Sequence, residues 1–167
     1  MLLDLTEKSA KEAIKKLDAL GADYKFPKQV YQPRVCVGSV YCKLGLKDTL
    51  RFGDRIYENF AHVDIPYKLK TGICGCPASC AHSTLADIGF IGRNSGYSVF
   101  VGGKSGINPK SGQLLAQSVT GDNALQIMEN IIQLYCKNVE SGKKRQRIFH
   151  IIEKMGFDKF KSLATQF

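Results

Sequence analysis

Tyr67-Lys68-Leu69-Lys70-Thr71-Gly72-Ile73-Cys74-Gly75-Cys76-Pro77-Ala78-Ser79-Cys80 runs from a strand pattern straight into a pair of cysteines. Read as a strand over 67–75, it carries Lys68, Lys70 and Cys74 on one face, because residues two apart share a face. The strand should stop at Cys76-Pro77. Pro77 suits the first position of a helix over 77–85, where its missing N–H would have no partner anyway. Cys76 is then the cap and Cys80 lies one turn on, with Cβ atoms about 5–6 Å apart on one side. The partial positive charge and free N–H groups of such a helix start favour anionic thiolates. Two lysines on the strand that leads there are well placed to hold an anion; the plainer alternative is a solvated edge strand.

Upstream, Cys36-Val37-Gly38-Ser39-Val40-Tyr41-Cys42 supplies a second pair. The sequence starts Met1-Leu2-Leu3-Asp4, with no basic start or long apolar stretch, so no signal peptide is read and a cytoplasmic protein is expected. In a reducing compartment six cysteines point to metal or catalysis before disulfides. Structural zinc sites usually use tighter pairs or histidines, and ferredoxin-type C-x2-C runs do not match either. Spacing alone leaves an iron–sulfur cluster, zinc and buried thiols open.

Around these pairs the pattern is mixed. A helix is expected over 6–20, capped by Thr6 and ended by Gly21, with Ala10, Ile14 and Leu17 on one face. A proline-interrupted linker follows over 22–33. An extended piece and loop over 35–42 precede a helix over 46–60 with Leu50, Ile56 and Phe60 inward. Strands over 87–91 and 97–101 flank the turn residues Arg93-Asn94-Ser95-Gly96, and a glycine-rich loop follows at Gly102-Gly103-Lys104-Ser105-Gly106. The last third is helical: Thr120 caps a helix to about 140 that Gly142 stops, another runs from about 145 to Gly156, and a short one ends the chain. The basic run Lys143-Lys144-Arg145-Gln146-Arg147 reads as a solvated connection between helices. The fold class is α+β: a mixed β-sheet with packed helices and a C-terminal helical segment.

Four segments, in order, resemble the siroheme-containing nitrite and sulfite reductases. Cys36 to Asp48 resembles their first cluster motif and Lys68 to Cys80 their second; Ala86-Asp87-Ile88-Gly89-Phe90-Ile91-Gly92 and Tyr97-Ser98-Val99-Phe100-Val101-Gly102-Gly103 follow in register. The likeness is greatest to the smaller forms with one such domain per chain. The resemblance implies that Cys36, Cys42, Cys76 and Cys80 ligate one [4Fe–4S] cluster and that Cys80 also bridges to a siroheme iron. It implies six-electron reduction of sulfite to sulfide or of nitrite to ammonia. Lys68 and Lys70 would contact the anion, with Arg34 as a further candidate at a doubtful offset. Gly102, Gly103 and Lys104 would meet the siroheme, whose carboxylates give the net charge of +9 a natural partner. Cys74 stands where the family usually has serine or threonine and reads as a small buried thiol. Cys136 reads as core, and His82 should face away from the cysteines.

The division expected is 1–33 as an N-terminal helix and linker, a remnant of the family's ferredoxin-like half domain, and 34–167 as the 4Fe–4S and siroheme domain. The expected partners are a small anion and an electron-donor protein or reductase subunit, and a homo-oligomer is compatible with the sequence. No membrane partner is expected. Nucleic acid is not expected either, since stacking positions for bases are not evident, although a basic zinc module on nucleic acid is a remote alternative. The missing half domain leads to the expectation of an inactive isolated chain, and a non-catalytic electron-transfer or cofactor-binding module is the second reading.

Overall fold

The structure, a computed structural model, describes residues 4–22, 30, 33–140 and 146–166. Its elements are α1 (Glu7–Ala19), β1 (Arg34–Val35), α2 (Gly38–Tyr41), α3 (Thr49–Phe60), β2 (Thr71–Cys74), a 3-10 turn (Ser83–Leu85), β3 (Ile88–Arg93), β4 (Gly96–Val101), β5 (Gln113–Val119), α4 (Gly121–Asn138), α5 (Ile148–Met155) and α6 (Phe157–Ala164). The strands form one sheet in the order β1-β2-β3-β4-β5. β1, β2 and β3 run parallel; β4 and β5 are antiparallel to their neighbours. The mixed sheet and the helical C-terminal third are as the sequence indicates. Among the described residues no helix is long and apolar enough to cross a membrane.

The sheet's two faces do different work. Leu69 and Ile73 are fully buried in the main core with Phe90 and Val99. Register joins these positions across the sheet: Val35 pairs with Ile73, Ile73 with Phe90, and Phe90 with Val99. Helix α3 covers this face. Phe52 stacks on Tyr97 at 4.4 Å and meets Phe90 edge-on at 5.4 Å, contacts worth about 0.5–1.5 kcal/mol each beyond simple burial. The opposite face carries Arg34, Gly72 and Cys74, with a smaller cluster of Cys74, Ala81 and Ile91.

Caps and spacing explain the helices. Asp48 accepts the Arg51 N–H and starts α3, whose Phe52, Ile56 and Phe60 recur every fourth residue and are buried. Thr120 accepts the Asn123 N–H at the start of α4, and Ile127, Met128, Ile131, Ile132 and Tyr135 form its buried stripe. Thr6 caps α1 by accepting the Ser9 N–H, and Gly21 follows it in the left-handed region as expected. No residue of α1 is buried, however, and Ile14 is 50% exposed. Leu50, expected inward, lies on the exposed side of α3. The expected stop at Gly142 and most of the 22–33 linker lie outside the described residues.

Several elements differ from expectation: β2 takes only Thr71–Cys74 of the strand expected over 67–75, so Lys68 and Lys70 precede it, and α2 forms at Gly38–Tyr41 where an extended piece and loop were expected. β5 was not expected: only Leu115 of its residues is fully buried, so it lacks a clear apolar period. Its pairing with β4 is irregular, with register shifts around Val99, and Ser118 has a left-handed φ of 56°. The helix expected over 77–85 is replaced by turns and the 3-10 turn.

Arg147 corrects the reading of the basic run as wholly solvated. Its guanidinium donates two hydrogen bonds of 2.6 Å to Asp87, whose side chain is fully buried. The Lys70 backbone N–H donates to the same carboxylate at 2.8 Å. Burial pushes the Asp87 carboxyl up, while the Arg147 guanidinium and the Lys70 amide pull it back. This fork ties the start of α5 to the strand ends of the sheet. Arg147→Ala should therefore leave a buried carboxyl without its main partner and lower the unfolding free energy by about 3–5 kcal/mol, measured by denaturant titration; a loss under about 1 kcal/mol, the size of a surface pair, would contradict this account.

Candidate functional site

The cysteines gather at the carboxyl ends of two adjacent parallel strands, where open α/β sheets commonly bind ligands. Cys36 follows β1, Cys42 ends α2, and Cys76 and Cys80 lie in the loop after β2. All four line one cavity of about 350 Å³, together with Arg34, Gly38, Gly45, Cys74 and Ser79. The sequence pairs are thus brought together in space. The geometry within the second pair differs from the helical turn expected. Ser79 N–H donates to Cys76 O at 3.3 Å and His82 N–H to Ser79 O at 2.8 Å, with left-handed φ values of 53° and 51° at Ser79 and His82. No helix starts beneath these two cysteines; they lie in turns.

The two cysteine loops are stitched to each other. Leu46 N–H donates to Gly75 O at 2.9 Å and Ser39 N–H to Lys47 O at 2.9 Å. Cys36 Sγ accepts the Gly75 N–H at 3.1 Å, and Thr49 Oγ1 donates to Cys36 O at 2.6 Å. Gly75 is required by close approach: a Cβ there would sit 3.0 Å from Gly38 Cα and 3.1 Å from Lys47 O. Gly38 in turn holds a left-handed φ of 58°.

Thiols, glycines and short aliphatic side chains make up most of this lining, with no carboxylate among the described residues there. Such a donor set suits a soft, thiolate-seeking metal group. Among the described residues no three His, Cys, Asp or Glu side chains converge as a single metal ion demands.

A second cavity, of about 410 Å³, adjoins the first along the same sheet face and shares Arg34 and Ala81 with it. Arg34, Lys68, Lys70, His82 and Ser105 line it, and among the described residues no Asp or Glu does. The three cationic candidates from the sequence therefore meet here. Burial pushes the Lys70 ammonium below its ordinary range; the charges of Lys68, Arg147 and Arg34 add to this and Asp87 opposes it. His82, expected to face away, also lines this cavity, because the left-handed turn replaces the helix on which that expectation rested.

The glycine-rich loop packs closely against its neighbours. Gly103 is buried where a Cβ would be 3.0 Å from Ala86 N, and Gly102 where it would be 2.9 Å from Ile152 Cδ1, so both serve close packing. Lys104 Nζ lies 5.2 Å over the Phe149 ring. Ser105 is the residue of that loop which reaches the basic cavity. Cys74 is buried, as read; Cys136 is exposed, contrary to the core reading.

The family model for the nitrite and sulphite reductase 4Fe-4S domain matches residues 27–166. An assimilatory-type sulfite reductase of Nitratidesulfovibrio vulgaris is 37% identical over 129 residues, covering 77% of this chain and 58% of that protein. A nitrite reductase [NAD(P)H] of Bacillus subtilis is 27% identical over 142 residues, covering 85% of this chain and 17% of that protein. The crystal structure of dissimilatory sulfite reductase I superposes with a TM-score of 0.79 at 16% identity, covering 97% of this chain and 58% of that one, a likeness of fold. The chain thus spans little more than half of the first relative and a sixth of the second.

The contact between the loops generates a test. Gly75→Ala should force them apart by a few tenths of an ångström and cost about 1–3 kcal/mol of stability, the usual range for overpacking, read from the denaturant midpoint. An unchanged midpoint would mean that the loops do not need to touch.

Proposed function

The chain belongs to the nitrite and sulphite reductase 4Fe-4S domain family, and on that footing we propose that it is the redox domain of a reductase acting on a small oxyanion, sulfite or nitrite. One observation carries the reading: a cavity lined by Cys36, Cys42, Cys76 and Cys80 shares Arg34 with a cavity lined by Lys68 and Lys70. A [4Fe–4S] cluster held by the four cysteines, together with a siroheme, would relay electrons from an external donor and supply the metal for a six-electron reduction. The chain's own residues do the rest.

Arg34, Lys68 and Lys70 attract and orient the anion. The three cationic side chains line one cavity, so an anion there would meet several positively charged donors at once. Lys70 gives up its proton more readily than an ordinary lysine, since burial and the neighbouring cations disfavour its charged form. That suits it to donate protons as S–O or N–O bonds break. Its backbone is held by Asp87, itself gripped by Arg147, so the C-terminal helices help to place the proton donor. His82 adds a further polar group at the rim. On this reading the electron donor's site and the remaining cover for the macrocycle come from polypeptide outside the given sequence or from a partner chain, and this chain alone is expected to be a poor reductase.

Two experiments test this. Anaerobic reconstitution with iron and sulfide, followed by metal and acid-labile sulfide analysis, should give a brown cluster-bearing chain. Cys36→Ser, Cys42→Ser, Cys76→Ser and Cys80→Ser should each lower both contents, while Cys136→Ser leaves them unchanged; equal iron in all five variants removes the ligand assignment. In a complete reductase, anion affinity should weaken as pH rises through the lowered Lys70 pKa, because a positive charge leaves the cavity. Lys70→Arg, which stays charged, should abolish that alkaline loss, and Lys70→Ala should cut turnover by about 10²-fold or more. The same pH profile in all three proteins would return Lys70 to a solvated-edge role.

A further inference from the structure

Cys74 has the most heavily bonded sulfur in the protein and yet is not one of the four ligands assigned above. It is 1% exposed and ends β2, paired in parallel register with Ile91 of β3. Its Sγ accepts the Ala81 N–H at 3.2 Å and the Ser83 hydroxyl at 3.0 Å, and its S–H points to Ser79 Oγ at 3.9 Å. Ser79 and Ala81 are the two residues that flank Cys80. Cys74 also lines the cysteine cavity itself.

We propose that Cys74 is a positioning residue that sets the direction of the Cys80 side chain toward the metal group, a role that rests on the cluster reading given above. The loop after β2 has no helix to stiffen it, and Ser79 holds a left-handed φ of 53° that a residue with a side chain adopts only under constraint. A rigid strand end, a buried acceptor and the two neighbours of Cys80 form one continuous linkage. Sulfur is a weak acceptor, but both donors lack competing water at this depth. A hydroxyl at position 74 would keep the acceptor; a methyl group would remove it and free the turn around Cys80.

The test reconstitutes the unaltered chain, Cys74→Ala, Cys74→Ser and Ser83→Ala anaerobically with iron and sulfide. Iron and acid-labile sulfide are measured, together with the visible spectrum and the midpoint potential of any cluster formed. Cys74→Ala is expected to load at most half the iron of the unaltered chain, or to load it with a shifted midpoint and altered spectrum. Cys74→Ser should restore both, and Ser83→Ala should move both in the direction of Cys74→Ala. Rescue by serine separates positioning from simple filling of space, and Ser83→Ala supplies the answer should the alanine variant fail to fold. Loading and spectrum unchanged in Cys74→Ala and Ser83→Ala, or a serine variant no better than alanine, overturns this role alone. An unaltered chain that takes up no cluster overturns the reading of the cavity and this role with it.

Discussion

The parallel pairing of β2 with β1 and β3 fixes everything that follows it. A strand alternates its side chains with period two, and a slip of one residue exchanges its faces. With Arg34 opposite Gly72 and Val35 opposite Ile73, the positions of one parity enter the apolar core and the other parity is delivered to the site. Lys68, Lys70, Gly72 and Cys74 line the two cavities in that order along one edge-to-end path. Burial of Leu69 and Ile73, worth about 1.5–3 kcal/mol each, is what makes any other register costly. The apolar core thereby specifies the placing of charges and sulfurs it never touches.

The site itself is held by bonds between elements that are weak alone. Cys36 and Gly75 meet through an N–H to sulfur contact, Leu46 and Gly75 through a backbone bond, and Asp87 gathers Arg147 and the Lys70 amide. Each connects a loop to a strand end. Like charges crowd the basic cavity, and their repulsion is tolerated because the cavity opens to solvent on one side while Asp87 lies behind Lys70. An anion bound there, as proposed, would relieve part of that repulsion.

Much of this was legible in the sequence where a short-range rule governs. The cysteine pairs, the lysine parity, the caps at Thr6 and Thr120 and the hairpin at Arg93 to Gly96 depend on neighbours a few residues away. The 77–85 segment was misread because Pro77 permits a helix start without requiring one; bonds to the Cys74 sulfur and the strand exit hold turns there instead. β5 escaped because an edge strand with one fully buried residue has almost no apolar period. Arg147 looked solvated because its partner, Asp87, lies 60 residues away and nothing local marks it. The glycines at 102 and 103 also serve the close approach of Ile152 and Ala86, a long-range packing that nothing local marks.

The two borders of the sheet bear on how other polypeptide meets this domain. β1 is two residues long, and β5 is irregular in register with a left-handed Ser118 near its end. Short and kinked borders offer few free N–H and C=O groups in line, the usual way natural sheets refuse an added strand. Lengthening the sheet is therefore a poor route of assembly here. On the proposed reading, polypeptide covering the cavities would come over the loops and across the face that carries Arg34, Lys68 and Lys70, the same face that would hold the anion.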